Sequence, residues 1–181
     1  MHWKLSLGLI LGVTTVYANS PILRQEVIFH PVTASEGMVA AAEEQAAKAG
    51  LAVLQEGGNA VDAAVATGFA MAVTLPRAGN IGGGGFMMIH DAETQQTFAL
   101  DYRETAPGAA SRDMFLDSSG EADPEQSRYS EQAVGVPGTV AGLLEAHRRF
   151  GSLPLYRLLT PAVNLARDGF LVSPALANDL K

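Results

Sequence analysis

The chain reads as an α+β fold, and three features of its 181 residues carry that reading. Ala-, Glu- and Leu-rich stretches of helical length are closed by glycines, two short strand-like runs follow a glycine cluster, and 48% hydrophobic against 17% charged residues suffices for a packed core. The length suits one domain or part of a larger one. With 12 basic and 19 acidic residues the net charge is −7. That balance argues against nucleic acid, whose phosphates are bound by clustered Lys and Arg. The absence of cysteine excludes disulfides, a thiolate nucleophile and thiolate-ligated metal.

The elements follow in order. Lys4, the apolar run Leu5–Val16 and the small Ala18 match a secretory signal, and the run is too short for a membrane span, which needs about 20 apolar residues. Cleavage near Ala18 and a periplasmic or secreted protein are expected, with no membrane association after cleavage. Residues 19–37, with Pro21 and Pro31, read as a lead-in, and 37–42 as a short strand or the start of a helix. Residues 43–56 are strong helix formers, stopped by Gly57-Gly58. Asn59 caps the next helix, with Asp62 three residues on facing its free N–H groups. That second helix, from Ala60 to about Leu75, is apolar almost all round and should be buried on every side. Pro76 stops it.

After the glycine-rich segment 79–85, Phe86–His90 is apolar on both alternating faces and reads as a strand covered above and below. Residues 91–96 form a turn. Thr97–Arg103 is a second strand, with Phe98, Leu100 and Tyr102 on one face and Asp101 and Arg103 on the other. The polar stretch 117–132 reads as a mobile surface loop. A helix begins at Pro137-Gly138-Thr139, with Val140, Leu143, Leu144 and His147 on one face, and ends at Gly151. Pro154 opens a short turn. Thr160-Pro161 reads as a cap and first helical position of a last helix running to Asp168, with no further element after Gly169.

The glycine run leaves a helix and enters a strand, the reverse of a phosphate-binding loop, so a tight turn is the better reading. His2, His30, His90 and His147 lack metal-ligand spacing, and no Gly-x-Ser-x-Gly elbow occurs. No metal or cofactor is expected. Arg103 stands out because its fork of donors matches a carboxylate with two parallel hydrogen bonds. Flanked by Asp101 and Glu104, it could equally form a structural ion pair.

The segment Pro76-Arg77-Ala78-Gly79-Asn80-Ile81-Gly82-Gly83-Gly84-Gly85-Phe86, followed by Leu100-Asp101-Tyr102-Arg103-Glu104-Thr105-Ala106-Pro107, resembles the gamma-glutamyltranspeptidase family. Residues 57–64, Val136-Pro137-Gly138-Thr139, Gly151-Ser152-Leu153-Pro154 and 161–170 match the same family in the same order. The likeness covers residues 36–181.

The resemblance implies an N-terminal-nucleophile hydrolase with an αββα four-layer sandwich, made as a precursor that cleaves itself into large and small subunits. Residues 19–181 would be the N-terminal portion of the large subunit, which leaves the sandwich incomplete in this chain. The nucleophile implied is the N-terminal threonine of the small subunit, whose α-amino group, with a reference pKa of about 7.7–8.0, can take up the hydroxyl proton. It would attack the amide carbonyl of glutathione and other gamma-glutamyl compounds, and water or an amino acid would resolve the acyl-enzyme. Arg103 would hold the substrate α-carboxylate. No threonine of residues 19–181 stands in the nucleophile context, so the fragment alone is expected to be inactive. Two other readings remain: an exported, non-catalytic carboxylate-binding protein, and a related amidohydrolase such as a cephalosporin acylase.

Overall fold

In the computed structural model, which describes residues 31–181, every regular element falls in the unit Glu36–Lys181. Residues 31–35 are exposed and irregular. The expected signal segment, 1–18, and most of the lead-in lie outside the described residues.

Helix α1 spans Glu44–Gln55 and α2 spans Ala60–Thr74. The stretch 37–42 forms neither a strand nor a helix. Between the two helices, Gly57 takes φ +89°, and an added Cβ there would meet nothing within 4 Å. Substitution is therefore opposed by backbone conformation alone. We expect Gly57→Ala to lower stability by about 1 kcal/mol, read from the urea midpoint.

Helix α2 is the hub, packed by α1, α4 (Thr139–Phe150) and α5 (Leu155–Asp168). Small residues let these helices approach closely: Ala46 and Ala49 of α1 cluster with Ala70 and Ala162, and a Cβ on Gly50 would stand 3.0 Å from the Ala63 carbonyl. A second cluster joins Val53, Val65, Ile89, Leu143 and Leu158. The all-round apolar pattern of α2 thus corresponds to a helix enclosed on three sides, and burial on every side is not met, since Ala60 and Ala64 are exposed.

Strands β1 (Phe86–Asp91) and β2 (Gln96–Asp101) form an antiparallel hairpin, paired from Phe86 with Asp101 to Asp91 with Gln96. Asp91 shapes the turn by accepting from the Glu93 N–H at 3.0 Å and the Thr94 hydroxyl at 2.7 Å. Met87, Ile89, Phe98 and Leu100 face the helices. The opposite face is bare, with Phe86 65% and Met88 71% exposed. The expected coverage above and below is therefore met on one side by these residues. A strand apolar on both faces still signals two partners, and the described residues supply one.

Five other features depart from expectation. Strand β2 ends at Asp101, short of the expected Arg103, and the Asp101 carboxylate accepts the Arg103 N–H at 3.0 Å in place of a partner strand. The expected loop 117–132 contains helix α3 (Pro124–Tyr129), capped by Asp123 on the N–H groups of Glu125 and Gln126, then a 3₁₀ turn at Glu131–Ala133. Helix α4 buries Gly142, Leu143 and Ala146 and leaves Val140 and Leu144 exposed, because the glycine face takes the closer approach. Finally, α5 runs unbroken through Pro161, which removes one backbone hydrogen bond. Leu158 and Ala162, one turn apart and both buried, hold it together against the other helices. Helix α6 (Pro174–Asp179) was not expected; Ser173 caps it at the Leu176 N–H.

Candidate functional site

The site is a corner where three segments meet: the glycine loop 82–85, the chain just after β2, and the N-terminus of α4. Its frame is backbone. Gly85 and Tyr102 exchange hydrogen bonds at 2.9 and 3.3 Å, which extends the hairpin ladder by one step. The Gly83 carbonyl accepts from the N–H groups of Gly138 and Thr139 at 2.8 and 3.0 Å, so the loop closes the first turn of α4. Thr105 and Val136 exchange a further pair at 2.8 and 3.2 Å. The glycines are required by proximity, since a Cβ on Gly84 would stand 2.6 Å from the Tyr102 carbonyl and 2.8 Å from the Glu104 nitrogen. The run is thus the tight turn expected from its order after a helix and before a strand.

Arg103 stands at the apex, with its side chain 62% exposed. Its Nε donates to Glu104 Oε2 at 3.0 Å, and its Cζ lies 5.9 Å from the centre of the Phe86 ring. Nη1 and Nη2 have no hydrogen-bond partner among the described residues. The two readings of Arg103 are therefore compatible in one geometry: Glu104 takes the inner edge, and the outer pair of donors remains for a second carboxylate. Of the two acidic neighbours, Glu104 makes the ion pair, while Asp101 serves the backbone.

Glu104 is held below the ordinary carboxylate range, first by a hydrogen bond from its own backbone N–H and then by the Arg103 guanidinium. A lowered pKa keeps the pair charged as the pH falls, and the pair is lost only when acidification passes through that depressed value. Tyr102, expected on one face with Phe98 and Leu100, packs against Gly142 of α4. Burial pushes its hydroxyl upward, so the ring stays neutral.

A second polar cluster lies at the start of α2. Asp62 is fully buried. Its carboxylate accepts from the Asn59 N–H at 3.0 Å, the Ser152 N–H at 3.1 Å, the Ser152 hydroxyl at 2.5 Å and the Leu153 N–H at 3.3 Å. His147 closes the same loop, its Nε2 donating to the Leu153 carbonyl at 2.8 Å. The Asn59–Asp62 capping box is legible in the sequence, but the contact with Ser152, 90 residues away, carries no local signal. A cleft of about 540 Å³ opens elsewhere, between the N-terminus of α2 and β1, and Arg103 does not line it.

The sequence profile that matches the chain, over residues 46–181, is described as gamma-glutamyltranspeptidase. The glutathione hydrolase proenzyme of Escherichia coli (strain K12) is 54% identical over 157 residues, covering 87% of this chain and 27% of that protein. Among solved structures, the gamma-glutamyltranspeptidase of Helicobacter pylori superposes with a TM-score of 0.79 at 46% identity, over 83% of this chain and 43% of that one. Cephalosporin acylase from Bacillus halodurans superposes at 0.72 and 30% identity, over 89% of this chain and 30% of that one. The chain spans about a quarter of the length of the curated relatives it matches.

Proposed function

Because the chain belongs to the gamma-glutamyltranspeptidase family and carries part of its N-terminal-nucleophile hydrolase fold, we propose that the whole protein cleaves gamma-glutamyl amide bonds and passes the acyl group to water or an amine. The observation that carries the reading is the geometry of Arg103. Its Nε is held by Glu104 and its two Nη groups are open to solvent at the lip of the glycine corner. Glutathione and related compounds present an α-carboxylate that those two donors fit, and gripping it would fix where the γ-carbonyl lies. The threonine nucleophile is assigned to a segment beyond these residues, in a small subunit from the same precursor. Its α-amino group would take the hydroxyl proton, the hydroxyl oxygen would bond to the γ-carbonyl carbon, and the amine would leave with a proton. Water or an acceptor amine would then resolve the ester.

The test is release of p-nitroaniline from γ-glutamyl-p-nitroanilide by the whole purified protein, faster when a dipeptide acceptor is added. No release from assembled protein whose precursor has been cleaved into its two subunits would end the reading. The likeness to a cephalosporin acylase favours a second one, an amidohydrolase of altered substrate, which faster turnover of glutaryl-p-nitroanilide would support. Export is part of the proposal as well. Residues 1–18 would be removed, and mass spectrometry of the mature N-terminus is expected to find Asn19 first; a retained Met1 would exclude it.

A further inference from the structure

The direction in which Arg103 points is not fixed by its own side-chain contacts, which are a single neighbouring carboxylate and the face of an exposed ring. The residue before it is fixed far more firmly. The Tyr102 ring lies between two glycines of different elements. A Cβ on Gly142 of α4 would overlap the ring at Cγ and stand 2.5 Å from Cβ and Cδ1, while a Cβ on Gly85 would stand 3.0 Å from Cε2. The Tyr102 peptide is gripped as well, since a Cβ on Gly138 would overlap its carbonyl oxygen. Successive side chains of an extended chain leave on opposite sides, so a ring seated inward on α4 sends the next side chain outward. The hydroxyl contributes little, at 3.5 Å from the Phe86 carbonyl.

We infer that Tyr102, seated on Gly142 of α4, is the positioning residue that aims the Arg103 guanidinium at the substrate carboxylate. This rests on the carboxylate-binding reading of Arg103. The bare surface at Gly142 is then a specific requirement of the ring, and a methyl group there displaces Tyr102 and swings Arg103 with it.

The experiment measures KM and kcat for γ-glutamyl-p-nitroanilide in the whole protein carrying Tyr102→Phe, Tyr102→Ala, Gly142→Ala, the double change Tyr102→Ala/Gly142→Ala, and Arg103→Lys. Tyr102→Ala and Gly142→Ala should each raise KM about tenfold with kcat within about twofold, the size expected of a small misplacement of a binding group. Tyr102→Phe should restore the parent KM because the ring is kept. The double variant should be no worse than Tyr102→Ala, because the ring that the methyl would strike is gone. Should Gly142→Ala not be recovered folded, the pair Tyr102→Ala and Tyr102→Phe decides. A raised KM in Arg103→Lys with an unchanged KM in Tyr102→Ala overturns this inference and leaves the proposed function standing. An unchanged KM in Arg103→Lys overturns both.

Discussion

Arg103→Lys in the whole protein is expected to raise KM for γ-glutamyl-p-nitroanilide on the order of thirtyfold, the equivalent of about 2 kcal/mol for a charge-assisted hydrogen bond. Lysine keeps the positive charge, so attraction alone would predict little change. What it loses is shape: an ammonium is a single point of charge, whereas the guanidinium gives one edge to Glu104 and keeps two parallel donors for the ligand. The variant thus separates a geometric role from an electrostatic one. The kcat should move less than KM, because the clamp acts on the carboxylate rather than on the reacting carbonyl. A KM equal to that of the parent would remove the carboxylate-binding role.

Asp62→Ala is expected to lower the stability of the folded protein by about 3 kcal/mol, the range for stripping the partner from buried hydrogen-bonding groups. The backbone N–H groups of Asn59, Ser152 and Leu153 all point at this one carboxylate, as does the Ser152 hydroxyl. Alanine leaves them without the one buried acceptor they share. It also removes the negative charge from the first turn of α2, where the helix dipole favours it. Asp62→Asn should cost less, because an amide oxygen can still accept from some of these donors. The check is the urea midpoint of both variants against the parent. Equal midpoints for Asp62→Ala and the parent would mean that the loop at 151–153 finds other partners.

The parts of the fold readable in the sequence were those set by neighbours in the chain. Gly57-Gly58 and the Asn59–Asp62 box marked the helix junction, and the apolar composition of α2 marked its central place. The turn at 91–96 was legible because Asp91 and Thr94 bond within it. Misreadings arose where a distant contact or a competing local bond decided. Proline at 161 looked like a beginning, but packing of Leu158 and Ala162 carries the helix through it. The Asp123-Pro124 start of α3 and the Ser173-Pro174 start of α6 carry capping residues, but they lie in stretches too polar or too short to suggest helices.

The candidate site was legible in a similar way. Arg103 drew notice by its chemistry and its flanking acids, but spacing could not choose between clamp and ion pair. In the structure the Nε edge of the guanidinium makes the ion pair, and Nη1 and Nη2 have no partner among the described residues. The glycine requirement at 138 and 142 was not legible, because the ring and carbonyl they accommodate belong to a segment some 40 residues earlier.

The join between Asp62 and Ser152 also bears on the order of events during synthesis. A ribosome adding about 5–20 residues per second needs several seconds to travel from one codon to the other. Throughout that interval the acid at the head of α2 has only its own capping turn for company and must stay in water. The three-sided enclosure of α2 therefore cannot be sealed by the nascent chain until α5, which ends at Asp168, has cleared the exit tunnel.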